Sequence, residues 1–509
     1  MRLRKKFRRH RGAGATALPN GAPFLRYTSS VATFYVENFG CRATQADGAS
    51  LERQFTDRGL ERATTPAEAQ LVVLNTCTVT AAADHDARAA IRRIHRLNPN
   101  ARIVVTGCYA QRAPEEIAAL EGVSQVIGNS HKHQLADLSW QHSVISSQPE
   151  PNSFVPLDVL QPSGLGRRPE ADGQPADIWV SDIFAHTQLL AAPVFDAPNE
   201  RTRPNLKIQD GCNNRCSFCV IPYVRGRSRS LPEDRILAEV RALVSAGYQE
   251  VVLSGINLGR WGRDLKPQGL AAPRDLRLAA SAHRPGFEDL LRRILAETTV
   301  PKLRISSVEP MDWSADLIAL MASSPRIAKH AHVPLQSGSD ALLRRMHRRY
   351  RPKHYVDRIL RIRAAMPDAA IGADVMVGFP GESDAEFQAT RSLVEALPFT
   401  YLHVFSYSPR PGTPAASLPG QVPDGVARER NRILREVASV KKHAFMQSFV
   451  GRSLAAITLH GAADAPDTEA LTDNYLKLRL PGSHPPNRWL TALVTNVVNG
   501  TLLGAPVHP

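Results

Sequence analysis

Three stretches of the chain share one design: TFYVENFGC (residues 33–41), AQLVVLNTC (69–77) and ARIVVTGC (101–108). Each is an apolar, β-branched run that ends in a small or turn-forming residue and then a cysteine. Such a run reads as a buried strand with its thiol at the carboxyl end. Helix-like segments lie between the strands, for example AADHDARAAIRRIHRL (82–97). Strands alternating with helices build an open α/β sheet, which places ligands outside the carboxyl ends of its strands. Cys41, Cys77 and Cys108 should therefore converge on one side of a sheet. A single free cysteine is usually a buried structural residue, but three at equivalent strand ends point to a shared site.

A second α/β pattern begins at Lys207. LKIQDGC, EVVLSGI, KLRISSVEP, KHAHVPLQSG, IGADVMVGFPG and YLHVFSYSPRPG are strand-like runs, most of them separated by amphipathic helices such as PEDRILAEVRALVSAG (232–247). Six such units predict a partial (β/α)6 barrel, whose functional residues cluster at the strands' carboxyl ends. Beyond residue 430 the run LREVASVKKHAFMQSFVG reads as a long helix. LAAITLHG, NYLKLRLPG and LTALVTNVVNGTLLGAPV then read as short strands of a small β-barrel, a type that often binds nucleic acid.

The expected fold class is α/β: an amino-terminal open three-layer α/β domain (31–140), a central partial barrel (201–445) and a small carboxy-terminal β-barrel (446–509). Residues 141–200 hold eight prolines and little periodicity, and read as a linker or insertion. The segment 262–285 is long and irregular and is given no role.

With 509 residues, 43% of them hydrophobic and 22% charged, the chain has the composition of a soluble globular protein. No apolar run approaches the ~18 residues that a membrane span needs. The net charge is +15, and eight Lys or Arg without a single acid fall in residues 1–30, which read as a disordered extension. That extension has no apolar core of the secretory type. The remaining chain is still basic, which favours a polyanionic partner. The cytoplasm is the expected compartment, and six cysteines in a reducing environment point to metal or redox chemistry rather than disulfides.

The other three cysteines lie in KIQDGCNNRCSFCVIPYVRGRSRS (207–230). Cys212, Cys216 and Cys219 form a tight three-thiol loop, and thiolates are the standard ligands of iron–sulfur clusters. Closed structural zinc would need a fourth ligand, which this stretch does not supply. Three thiolates on a 4Fe-4S cluster leave one iron open for chemistry.

This CxxxCxxC loop, with Phe218 before its last cysteine, resembles the radical S-adenosylmethionine (SAM) superfamily. Together with the amino-terminal cysteines and the terminal β-barrel, it resembles the methylthiotransferases, which convert C–H to C–SCH3. The stretches that carry the resemblance are FGCRATQ (39–45), LNTCTVT (74–80), VTGCYAQ (105–111), DGCNNRCSFCVIPYVRGRSRS (210–230), SSVEP (306–310), HVPLQSGS (332–339) and GADVMVGFPGES (372–383). Among subfamilies, NTCTVT…TGCYAQ and IPYVRGRSRS are most similar to the enzyme acting on N6-threonylcarbamoyladenosine beside the tRNA anticodon. One departure is Thr44, where the family often has Asn.

The resemblance implies two 4Fe-4S clusters. Cys212, Cys216 and Cys219 would hold the one that binds SAM and yields a 5′-deoxyadenosyl radical, and Cys41, Cys77 and Cys108 an auxiliary one that donates sulfur. It also implies that Phe218 packs near the SAM adenine and that Ser254, Gly255 and Asn257 of the SGIN turn meet its amino group. Glu309 and Gly378 of the GFPG turn are further pocket candidates. Arg225, Arg227 and Arg229 would hold RNA beside the radical site, with Lys477 and Arg479 of the terminal barrel, a TRAM-like domain, adding phosphate contact.

The implied partners are the tRNA anticodon stem-loop and a flavodoxin- or ferredoxin-type electron donor. Alternative targets are isopentenyladenosine in tRNA and an aspartate of a ribosomal protein. A non-catalytic iron–sulfur RNA-binding or redox protein and a zinc-binding RNA module are the readings from other classes.

Overall fold

The computed structural model describes residues 31–144, 176–186, 189, 202–265, 285–461 and 465–507. The basic extension, most of the proline-rich stretch and most of the segment 262–285 lie outside the described residues.

The first domain is a six-stranded sheet of β1 (Thr33–Asn38), β2 (Glu61–Arg62), β3 (Leu71–Thr76), β4 (Arg102–Gly107), β5 (Val123–Gly128) and β6 (Asp177–Trp179). Its order is β2-β1-β3-β4-β5-β6, and every pairing is parallel. Both faces are covered, which is why the strands read as continuous apolar runs. Val72 and Leu74 enter one buried cluster with Ile91 and Ile94 of the helix Ala81–Leu97. Val73 and Val104 enter the other with Leu51 and Phe55 of the helix Arg42–Thr56. The three layers match the expectation. The edge strand β6 does not: it comes from inside the stretch read as a linker, and three residues are too few for a visible strand pattern.

The central domain carries β7 (Asn205–Asp210), β8 (Arg229–Ser230), β9 (Glu250–Gly255), β10 (Lys302–Ile305), β11 (His330–His332), β12 (Ala370–Val377) and β13 (Tyr401–Ser406). Two sheets, β10-β9-β7-β8 and β11-β12-β13, are bridged through Ser307 and His332. One buried core runs from Leu206 to Leu434. The six parallel strands β7 and β9 to β13 are those expected for the partial barrel. The short β8 folds back antiparallel on β7 and pairs Arg229 with Asp210.

The helix Asp424–Gln447 links this core, through Leu434, to the last domain, through Met446. There β14 (Ser453–Thr458), β15 (Asp467–Thr472), β16 (Lys477–Pro481), β17 (Trp489–Val498) and β18 (Thr501–Pro506) close a barrel. The strand β15, DTEALT, went unread because its apolar positions are small or polar. A fully buried ion pair docks the barrel: Arg304 Nε donates to Glu250 at 2.7 Å, and its Nη1 reaches the Asp473 carbonyl at 3.1 Å.

Candidate active site

Cys41, Cys77 and Cys108 follow β1, β3 and β4, three adjacent strands. The order of the sheet reverses between β1 and β3, where an open α/β sheet forms its ligand crevice. Gly40 makes the approach of the first loop possible. Its φ is +99°, and a Cβ there would lie 2.8 Å from Cys77 Sγ. Burial, then Cys108 and Cys41, push the Cys77 thiol up to about 12. Three thiols so placed favour a cationic centre between them. Asn129 Nδ2 donates to Cys108 Sγ at 3.5 Å, and the Thr44 hydroxyl lies 3.6 Å from Cys41 Sγ. The departure at Thr44 therefore still puts a polar group beside that thiol.

The second set sits in the loop after β7. Asn214 N–H and Asn257 Nδ2 donate to Cys212 Sγ at 3.4 and 3.7 Å, and Arg348 Nη1 donates to Cys216 Sγ at 3.2 Å. Burial and then Cys216 push the Cys219 thiol up to about 12. Donors aimed at sulfur are the means by which a protein tunes a cluster.

Cys41 of the first set and all three cysteines of the second line one cavity of about 540 Å³, which Arg42 and Val79 bound on the side of the first domain. Phe218, Ser254, Gly255 and Glu309 also line it. The buried Ser254 Oγ, Ser306 Oγ and Gln336 Oε1 have no hydrogen-bond partner, although buried polar atoms are nearly always paired. Gln336 also holds φ at +65°, the kind of backbone strain that gathers at functional sites. A cavity with unpaired acceptors and hydroxyls, next to a three-thiol loop with an aromatic ring, fits SAM on an iron–sulfur cluster.

Glu309 is paired with Arg348 and is held at the cavity edge. Asn257 acts on Cys212 rather than on the cavity lining. Gly378 is a correction: its N–H donates to Glu382 at 2.6 Å, and a Cβ there would lie 2.7 Å from Ala427 Cβ. It seats the long helix and does not line the cavity.

Arg225 and Arg229 are the second correction. The chain forms a short helix, Ile221–Arg225, and then turns at Gly226 (φ +75°), so the arginine alternation does not lie on one face. Arg225 is 2% exposed and contacts Asp47 at 2.9 Å and Asp210 at 3.0 Å. Lys132 lies 3.2 Å from Asp47, Lys207 pairs with Asp47 and lies 2.8 Å from Asp210, and Arg229 lies 3.9 Å from Asp210. Burial opposes the charge on Arg225, but Asp210, Cys108 and Asp47 hold its pKa well above the usual range. Lys207, Arg225 and Arg229, with Lys132 whose charge burial disfavours, thus face two carboxylates, leaving positive charge next to Cys41 and Cys108. A buried excess charge needs a counter-charge, and thiolates around a cluster supply it. Arg227 is exposed, as are Lys477 and Arg479, which alternate with the inward-facing Leu478 and Leu480 on β16.

Sequence reasoning missed the far wall, which comes from the barrel's second sheet and the terminal domain. Asp374 Oδ1 lies 3.3 Å from His332 Nε2 and 3.2 Å from His403 Nδ1. Burial would raise the Asp374 pKa, but His332 and then His403 hold it below the carboxylate range. Tyr401 donates to or accepts from His330 at 2.7 Å, and Tyr475 packs on that imidazole at 4.5 Å.

The descriptions of known proteins agree with this anatomy. Residues 33–128 match the family described as uncharacterized protein family UPF0004, and residues 206–394 match the radical SAM superfamily. The chain is 34% identical over 448 residues to the threonylcarbamoyladenosine tRNA methylthiotransferase MtaB of Aquifex aeolicus, covering 88% of this chain and 96% of that one. It is 32% identical to the same-named protein of Bacillus subtilis, over 89% and 91% of the two chains. It is also 32% identical to the tRNA-2-methylthio-N(6)-dimethylallyladenosine synthase of Sphingopyxis alaskensis, over 84% and 86%. A radical SAM barrel preceded by a three-thiol α/β domain defines an enzyme that uses SAM and iron–sulfur clusters. The chain belongs to the radical SAM methylthiotransferase family. Among the described residues no helix is long and apolar enough to cross a membrane.

Proposed function

We propose that the enzyme replaces the C2 hydrogen of N6-threonylcarbamoyladenosine, beside the tRNA anticodon, with a methylthio group. The observation that carries this reading is the cavity shared by Cys41 of the first set and by Cys212, Cys216 and Cys219, together with the threonylcarbamoyladenosine enzymes among its relatives. The SAM-binding cluster would supply a hydrogen-abstracting radical, and the auxiliary cluster the sulfur. Cys212, Cys216 and Cys219 would hold the first, and Cys41, Cys77 and Cys108 the second.

The protein's own contribution is placement. Phe218, Ser254, Gly255 and Ser306 surround the space for SAM. Cys41, the one exposed thiol of its set, presents the sulfur site to the same space. The buried charges at Asp47, Asp210, Lys207 and Arg225 tie the two domains together and so fix the separation of the two sites. Arg227, Lys477 and Arg479 are the exposed cations for tRNA phosphates. A flavodoxin or ferredoxin is the chemical class of electron donor.

The Sphingopyxis relative supports a second reading, with isopentenyladenosine as target. Nucleoside analysis of tRNA from a deletion strain separates the two. Loss of 2-methylthio-N6-threonylcarbamoyladenosine is the expected result. Loss of the methylthio-isopentenyl nucleoside instead, or no change in tRNA with an unmodified ribosomal-protein aspartate, overturns the proposal.

A further inference from the structure

Arg42 follows the ligand Cys41 in sequence and lines the cavity beside it. Its guanidinium makes one polar side-chain contact, Nη2 to the Tyr475 hydroxyl at 2.7 Å, and has no carboxylate partner among the described residues. The other charged groups on this wall are matched: Arg348 with Glu309, and Asp374 with His332 and His403. Among the described residues that line the cavity, Arg42 is therefore the cation without an anionic partner, and it directly follows Cys41.

Tyr475 is built to hold that cation in place. It comes from the turn between β15 and β16, with φ at +68°. The turn is fixed by Thr472 Oγ1, which accepts from Leu476 N–H at 2.8 Å, and by Arg304, whose guanidinium sits 5.3 Å from the Tyr475 ring centre. The guanidinium of Arg42 lies 5.7 Å from the same ring centre. Three domains thus meet at one preorganised donor pair.

We infer that Arg42 and the Tyr475 hydroxyl form a carboxylate subsite that reads the amino-acid end of the N6 substituent. This rests on the threonylcarbamoyladenosine reading. In adenine, C2 and the N6-bearing carbon flank the same ring nitrogen, so a substituent on N6 projects from the edge that carries C2. With C2 turned to the auxiliary site at Cys41, the substituent would run along the wall that Arg42 shares with Cys41. Guanidinium forks bind carboxylates with paired, charge-assisted hydrogen bonds. An isopentenyl group would instead leave a half-buried cation facing hydrocarbon, which disfavours it.

The test uses the reconstituted holoenzyme and three anticodon stem-loop RNAs. They carry N6-threonylcarbamoyladenosine, its threonine-amide counterpart without the negative charge, or N6-isopentenyladenosine. The wild type should favour the acid over the amide. Arg42→Gln should raise KM for the acid by about ten-fold and bring the acid/amide ratio close to one. Arg42→Lys should recover part of the preference, and Tyr475→Phe should lose part of it. Iron per chain, read on each variant, shows that the clusters are loaded, and stem-loop affinity measured without reductant should follow the same order. A wild-type acid/amide ratio in Arg42→Gln, or no ratio in the wild type, overturns the subsite alone. Wild-type turnover of the isopentenyl RNA and none of the threonylcarbamoyl RNA overturns the substrate reading and the subsite with it.

Discussion

The Arg225 guanidinium lies 2.9 Å from the Asp47 carboxylate, joining the central domain to the first through a contact closed to water. A second carboxylate, Asp210, takes the other side of the guanidinium at 3.0 Å. Removing one partner from a buried ion pair costs about 3–5 kcal/mol, because the other charge is left uncompensated. Arg225→Gln should therefore lower the denaturant midpoint of the anaerobic holoenzyme and reduce its iron below about eight atoms per chain. Arg225→Lys keeps the charge and loses the fork, and should fall between. An unchanged midpoint in Arg225→Gln would show that the network does not hold the domains.

The same network sets an acid limit. Burial would raise the pKa of Asp47, but Lys132, Lys207 and Arg225 hold it below the ordinary 3.8. Asp210 is likewise held well below 3.8, with burial opposed first by Arg225 and then by Lys207. For a carboxylate whose pKa falls on folding, the stabilisation is complete above the unfolded value and is lost as pH drops below it. Stability should decline through and below pH 3.8, and Asp47→Asn should be less stable at neutral pH with a shallower acid limb. Unfolding midpoints from neutral pH down through pH 3.8 provide the check, and parallel curves for the two proteins would refute it.

Burial also divides the arginines that the sequence presents as one strip. A phosphate contact contributes close to one unit of slope when log affinity is plotted against log salt. Arg227→Ala, Lys477→Ala and Arg479→Ala should each weaken tRNA binding at low salt and reduce that slope. Arg225→Gln should leave the slope unchanged for whatever fraction remains folded. Filter binding or anisotropy across a salt series distinguishes them. A reduced slope in Arg225→Gln would return that residue to the RNA surface.

The three arginines show where sequence reading ran out. Strand-end cysteines were legible because buried parallel strands leave long apolar runs and their thiols fall directly after them. Arg225, Arg227 and Arg229 were expected to hold RNA together, but Arg225 ends a helical turn and Arg229 is drawn in by the hairpin with Asp210. Neither event has a local signature stronger than the Gly226 turn. Arg42, Tyr475, Asp374 and His403 were invisible for a different reason. They belong to three domains and become neighbours only after docking, so no spacing along the chain brings them together. The cavity's polar atoms at Ser306 and Gln336 lie within SSVEP and HVPLQSGS, and their lack of partners is set by the folded cavity rather than by the local sequence.

Gly40 offers the sharpest separation of the two cluster sites. Its positive φ is a conformation that alanine adopts only with strain, and the added methyl would press on Cys77 Cβ and Sγ at 2.5 and 2.8 Å. Cys77 sits at the end of a fully buried strand and cannot retreat, so the Cys41 loop must move instead. Cys212, Cys216 and Cys219 are held by the separate loop after β7. Gly40→Ala should hold about four iron atoms rather than about eight. It should still cleave SAM under reduction, yet transfer no methylthio group to tRNA. Iron analysis, 5′-deoxyadenosine release and nucleoside mass spectrometry on one preparation read the three outcomes together. Full iron with normal methylthiolation would mean that the Cys41 loop has room the structure does not show, and loss of SAM cleavage would mean that the two sites are not independent.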